Sequence, residues 1–289
     1  MILQWTPIIA STVISLAAST QSLFPGRSID FSESEIDSFI DTCREEFPDA
    51  VRNPSADGGI SIAFANGHRV ICAYGVISSL AQPEIALLSG EEPYIIVARS
   101  SGGSVEPWLV MIERLRQRPA AIIVDGLCAS SCANYAFVAA RQKIVGYGGF
   151  VVWHGGPTLH PDALSRTGLF DQNGPAVEQF ERLANRTESL YRRLGVSLEL
   201  LNDTMLSAPS NLDRRAFDND EQQLVGFAVP PEVLTECYHV GGLDRMWHPG
   251  GAVITQFTSA SLFGGGWIAI IPEMAEQRGC VPAVGLRGD

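Results

Sequence analysis

The sequence predicts an α/β protein built on parallel crossover units. Three observations carry this: short continuous apolar runs that end in glycine turns, helix-period segments that follow those turns, and the recurrence of that order along the chain. Ser32-Glu33-Ser34-Glu35 has the spacing of a capping box, and Ile36, Phe39, Ile40 and Cys43 follow at helical period, so a first helix runs from about Glu33 to Phe47. Arg52 to Gly59, rich in Pro, Asp and Gly, is a loop. Ile60 to Phe64 alternates as a strand, Asn66-Gly67 is a hairpin turn, and Arg69 to Ser78 is the returning strand. Tyr94 to Ala98 is a buried strand that ends at Ser100-Ser101-Gly102-Gly103 and leads into a helix carrying Val105, Leu109, Ile112 and Leu115. The unit then recurs: Ala121 to Val124 is a strand, Asp125-Gly126 a turn, and Ser130 to Ala140 a helix of small residues. Lys143 to Val145 and Phe150 to Trp153 read as further strands, and Ala176 to Leu194 as a long amphipathic helix. From Pro230 the texture changes, with Gly241-Gly242, Pro249-Gly250-Gly251 and Gly264-Gly265-Gly266 between β-like runs such as Ala252 to Thr255. This predicts a main α/β domain over 28–229 and a separate Gly-rich C-terminal extension over 230–289.

A chain of 289 residues, 46% hydrophobic and 18% charged, is long enough to bury its own core. Its net charge of -12 leaves no basic face for neutralising phosphates, which argues against nucleic acid and anionic lipid as partners. Ahead of Arg27, the first charged side chain, lies the apolar and small-residue stretch Ile8 to Ala18. It reads as an export signal over 1–22, although no Lys or Arg precedes the apolar part; an N-terminal anchor or a buried helix are the competing readings. Beyond it no apolar run reaches the length of a membrane helix, so the mature chain is expected to be soluble, in the periplasm or secreted. Cys43, Cys72, Cys128, Cys132, Cys237 and Cys280 form an even set, which in an exported chain reads as disulfides. Proximity pairs Cys128 with Cys132, Cys43 with Cys72 and Cys237 with Cys280. Buried free thiols, or zinc held by Cys128, Cys132 and His154, are the alternatives.

The chemistry concentrates at Gly126-Leu127-Cys128-Ala129-Ser130-Ser131-Cys132-Ala133, where a hydroxyl sits at the handover from strand to helix. There the unpaired N–H groups and dipole of a helix N-terminus favour negative charge, and the Ser131 amide can face a developing oxyanion. Gly102 and Gly103 allow the other glycine turn to approach closely and supply a second amide. His154 closes a strand and is followed by Gly155-Gly156-Pro157, which frees it to act as a base. Each residue also has a bland reading: Ser130 as a small residue for close helix packing, His154 as a strand-end histidine satisfied by a carbonyl. His68, His160, His239 and His248 lack a comparable setting, and Trp108, Trp153 and Phe180 read as core or subunit contacts.

Ser100-Ser101-Gly102-Gly103-Ser104, Gly126-Leu127-Cys128-Ala129-Ser130 and Trp153-His154 together resemble the caseinolytic (ClpP) serine peptidases of the ClpP/crotonase superfamily, most closely their exported bacterial relatives. The likeness spans roughly Ile60 to Val229 and implies a fold of repeated β-β-α units. It implies an exported serine endopeptidase in which Ser130 is the nucleophile, His154 the general base, and Gly103 with Ser131 the oxyanion hole. The family's acid falls after the long helix, where Asp213 is the choice and Asn211 and Asp218 compete with it. No cofactor or metal is expected. The substrates expected without an unfoldase are unfolded or short peptides, or a dedicated protein partner. Homo-oligomer formation is implied through the helix after the histidine strand, whose Val177, Phe180, Leu183, Leu190 and Leu194 serve equally well as a core face. Cys128 and Cys132 depart from the cytoplasmic pattern and bracket the nucleophile, which suggests a disulfide that clamps the turn presenting Ser130.

Four rivals stand beside this reading. A Ser-Lys dyad, as in signal-peptide peptidases, has to use Lys143, the only lysine in the chain. A catalytically silent ClpP-like binding protein would hold a peptide end in the same cleft. A cysteine nucleophile at Cys132 and a crotonase-type acyl-CoA enzyme are less well supported, the latter because its substrate is absent from the expected compartment.

Overall fold

The computed structural model describes residues 29–80, 88, 93–115, 117–157, 175–206, 224–243, 245–248, 255–256 and 267–270. The expected signal over 1–22, Asp213 with its rivals Asn211 and Asp218, His160 and Cys280 lie outside the described residues.

The chain opens with α1 (Glu33–Glu46) and α2 (Pro48–Arg52), then the antiparallel pair β1 (Gly59–Ala65) and β2 (His68–Ile77). The capping box is complete: Ser32 Oγ accepts from Glu35 N–H while the Glu35 carboxylate accepts from Ser32 N–H. Next come β3 (Ile95–Gly103), α3 (Val105–Arg114) and β4 (Ala121–Ala129). A π-helix follows over Cys132–Phe137, then β5 (Gln142–Val145), β6 (Phe150–Val152), α4 (Pro175–Leu194) and α5 (Glu199–Leu206). The described chain closes with β7 (Leu224–Ala228), α6 (Pro231–Tyr238), β8 (Arg245–Met246), β9 (Thr255–Gln256) and β10 (Trp267–Ile270).

A seven-stranded sheet runs β1-β2-β3-β4-β5-β8, with β6 also on β4, and every pairing except β1 with β2 is parallel. Its central strands are buried on both faces, which is why they read as continuous apolar runs. Val70, Cys72, Ile95, Val97, Ala121 and Ile123 face α1 and α2, while their neighbours Ile71, Ala73, Ile96, Ala98, Ile122 and Val124 face α3, the π-helix, α4 and α6. The result is a three-layer α/β/α stack. Leu183, Leu190 and Leu194 of α4 pack against this same core, as do the fully buried Trp108 and Trp153. A small second sheet, β7-β10-β9, meets the first through a bridge between Trp153 and Phe227.

Three expectations are corrected. β3 does not stop at Ala98 but carries Ser100 to Gly103 into the sheet, where Val76 and Ile77 pair with Gly102 and Gly103. Asp125-Gly126 is likewise no turn: β4 passes straight through it and exchanges partners, pairing with β5 over Ala121–Val124 and with β6 over Leu127–Ala129. The Asp125 carboxylate is tolerated there because Arg44 Nε and Nη2 donate to it at 2.9 and 2.6 Å and Tyr74 Oη donates at 2.9 Å. The same contact raises the Arg44 pKa through its hydrogen bond to Asp125, and burial, then the Asp125 charge, holds the Tyr74 phenol well above its usual range. Third, Pro230 does not begin an appendage. Val233, Leu234 and Tyr238 of α6 belong to the main core and β8 adds to the main sheet beside β5.

Cys43 is bonded to Cys72, tying α1 to β2, and Cys128 is bonded to Cys132. Cys237 is disulfide-bonded as well. Such bonds persist in oxidising compartments. Among the described residues no helix is long and apolar enough to cross a membrane.

Candidate active site

Ser130 follows the last residue of β4 and His154 stands two residues beyond the end of β6. Because β4 and β6 are parallel and in register, Ala129 opposite Val152, both residues emerge at the same end of the sheet from adjacent strands. The Ser130 N–H donates to Val152 O at 2.9 Å, which fixes the spacing of the two strand ends.

Ser130 is held at φ 55°, in the left-handed region. A side chain there costs roughly 1–2 kcal/mol, and such strain concentrates at functional sites. The other described non-glycine residues with positive φ have ordinary causes: Asn66 stands in an Asn-Gly hairpin turn and His239 caps the C-terminus of α6. Ser130 belongs to neither kind of position. It marks an elbow that turns a strand directly into a helix, and the π-helix that follows is a rare form frequently found at functional sites. Ser130 is half-buried and Ser131 buried.

The glycine-ended tip of β3 presses on this elbow. A Cβ at Gly102 would lie 2.6 Å from Ser130 Cβ and 2.8 Å from Ala129 O, so nothing larger than glycine fits. This strand end is pinned, since Ser100 Oγ donates to Gly75 O at 2.5 Å and accepts from Gly102 N–H at 3.0 Å, while Trp108 Nε1 donates to Gly102 O at 3.2 Å. Gly103 comes next, and its carbonyl accepts from Ser131 Oγ at 3.0 Å. The two residues expected to supply oxyanion amides are thus neighbours, and the Ser131 N–H lies in the first helical turn, where N–H groups lack intrahelical acceptors. Past Gly103 opens a groove of about 620 Å³, floored by Val105, Pro107, Val110 and Leu183 and rimmed by Ser78 and Ser104.

His154 is exposed at the surface although protein atoms crowd the ring. That crowding lowers its pKa, with a hydrogen bond to its own backbone acting the other way. Its neighbours are pinned: Trp153 and Phe227 exchange N–H···O bonds at 2.9 and 2.6 Å, and Gly155 N–H donates to Thr204 Oγ1 at 3.1 Å. Gly155 O accepts from Asn134 Nδ2 at 2.8 Å. Among the described residues no hydrogen bond joins Ser130 to His154. Bonds of this kind are often long before substrate binds.

Several alternatives are removed. The Cys128–Cys132 bond occupies both sulfurs, and both residues are fully buried, so neither a zinc site with His154 nor a cysteine nucleophile at Cys132 is open to the oxidised chain. Lys143 pairs with Ile122 of β4, eight residues before Ser130 or roughly 26 Å at 3.3 Å per residue. Its Nζ is capped by Ala140 O and Gly241 O, both at 2.7 Å, while burial, then Arg118, pushes its pKa down to about 7. It anchors the chain after α6 rather than serving Ser130.

Reading the sequence missed Asn134 and Thr204. The one signal for Asn134 was an amide four residues after Ser130 in a run of alanines and aromatics; Thr204, on α5, gave none. No protein-family model matches the chain, and no curated protein matches it significantly.

Proposed function

We propose that this chain is an exported serine endopeptidase with a ClpP-like site. Ser130 Oγ attacks the scissile carbonyl, His154 takes the hydroxyl proton and returns it to the leaving amine, and the Gly103 and Ser131 amides stabilise the tetrahedral oxyanion. The observation that supports this best is the left-handed Ser130, wedged against Gly102 of β3 at the strand end next to that of His154. The groove beyond Gly103 suits an apolar side chain of an unfolded or short peptide. Asp213 is the proposed orienting acid, and assembly into a homo-oligomer belongs to the same proposal.

The test is covalent capture. A fluorophosphonate probe should label the protein through displacement of fluoride by Ser130 Oγ, with the mass shift on the peptide containing Ser130 and none in Ser130→Ala. Absence of labelling in the folded wild type, together with saturable binding of peptide, would establish the silent binding protein instead.

The Cys128–Cys132 bond spans the elbow on both sides of Ser130, so its removal is expected to loosen the nucleophile without unfolding the sheet. The double variant Cys128→Ala/Cys132→Ala should fold, as judged by circular dichroism, and react with the probe about tenfold to a hundredfold more slowly. Labelling at the wild-type rate would show that the elbow holds Ser130 without the clamp.

A further inference from the structure

We propose that Asn134 is a positioning residue that locks the Ser130 elbow to the turn carrying His154. The inference rests on the peptidase reading above and adds to it what fixes the two groups relative to each other.

Asn134 makes hydrogen bonds to both sides of the site. Its backbone N–H donates to Ser130 O at 2.8 Å, one turn into the helix, and its side-chain Nδ2 donates to Gly155 O at 2.8 Å, one residue past His154. Gly155 presents a carbonyl there, which requires the amide nitrogen on that side. The residue is itself held, since Tyr191 Oη from α4 donates to Asn134 O at 3.0 Å, and it is only 2% exposed. Gly156 leaves room for it: a Cβ at Gly156 would lie 3.0 Å from Asn134 Nδ2. Thr204 Oγ1 accepts from Gly155 N–H on the opposite side, so the residue after His154 is gripped at both its polar backbone groups.

The arrangement is not what packing alone selects. Asn134 Oδ1 is buried without a hydrogen-bond partner, an uncompensated desolvation that an apolar side chain avoids. What the amide adds is a fixed distance beyond the point where the pairing of β4 with β6 ends at Val152. Positional errors of about 1 Å between nucleophile and base cost on the order of a hundredfold in rate.

The experiment measures kinact and KI for a fluorophosphonate on the full chain as wild type, Ser130→Ala, Asn134→Ala and Asn134→Leu, with Tm for each. The expected result is complete labelling of both Asn134 variants with kinact about a hundredfold lower and KI unchanged. A purely structural role predicts a different pattern, a smaller labelled fraction at the wild-type rate constant. Asn134→Leu keeps the test sharp if alanine fails to fold, because it keeps the branched four-atom side chain and leaves no cavity; its Tm, lowered by the larger methyls and the unpaired Gly155 carbonyl, reports that it is folded while it still reacts slowly. A wild-type kinact in Asn134→Leu overturns the positioning role and leaves the peptidase reading standing. No labelling of Ser130 in the wild type overturns that reading and this inference with it.

Discussion

Replacing His154 by alanine is expected to lower kinact toward a fluorophosphonate, and kcat toward any peptide substrate, by about 10²- to 10⁴-fold, the usual contribution of a positioned general base. KI should stay near its wild-type value, because His154 does not line the groove proposed above to take the substrate side chain. The pH dependence gives an independent check. The base works only as neutral imidazole, so the rate rises with pH as the ring loses its proton. Crowding lowers the His154 pKa below its ordinary value, so the neutral form already dominates at a pH where an ordinary histidine is half protonated. The wild-type profile should therefore reach its plateau at a lower pH than an ordinary histidine would give, and the alanine variant should lack that rise. A rise that persists unchanged in His154→Ala assigns the titration to another group and removes His154 as the base.

Gly102→Ala is expected to damage the site severely. The new Cβ would meet Ser130 Cβ at 2.6 Å, Ala129 O at 2.8 Å and Ser131 N at 3.0 Å, and φ at this residue is +103°. Two of those three atoms are backbone, so relief must come from moving the elbow or the end of β3. Either movement separates Ser130 from the amides of Gly103 and Ser131, and a loss of about a hundredfold or more in kinact follows. Gly148→Ala is the matched control. It too has positive φ, +76°, but a Cβ there meets nothing within 4 Å. It should lower Tm through backbone strain alone and leave kinact untouched. Equal rate losses in the two variants would mean that strain anywhere in the fold slows the reaction, and close contact between the end of β3 and the nucleophile would no longer explain the loss.

Much of the fold was legible because its signals are local. The capping box at Ser32, the Asn66-Gly67 hairpin and the helical period of Ala176 to Leu194 each depend on residues a few positions apart, and the structure places α1, the β1–β2 pair and α4 within a residue or two of those readings. The candidate nucleophile and base were legible for a related reason, since a serine after a strand and a histidine before Gly155-Gly156 stand where local pattern breaks. Asp125-Gly126 shows where that logic fails. Read alone it is a turn, yet β4 runs through it because Arg44 and Tyr74, far away in the chain, satisfy the buried carboxylate.

The sequence by itself determined the α/β class, the order of the longer strands and helices from α1 to α4, and the two strand ends that carry Ser130 and His154. Only the tertiary structure decided that those ends are adjacent, that Ser130 is left-handed against Gly102, and that Asn134 and Thr204 grip Gly155. The physical reason is that periodicity and capping reside in neighbouring residues, whereas strand register and the partner of a buried polar group are fixed by packing between segments that the chain order keeps apart.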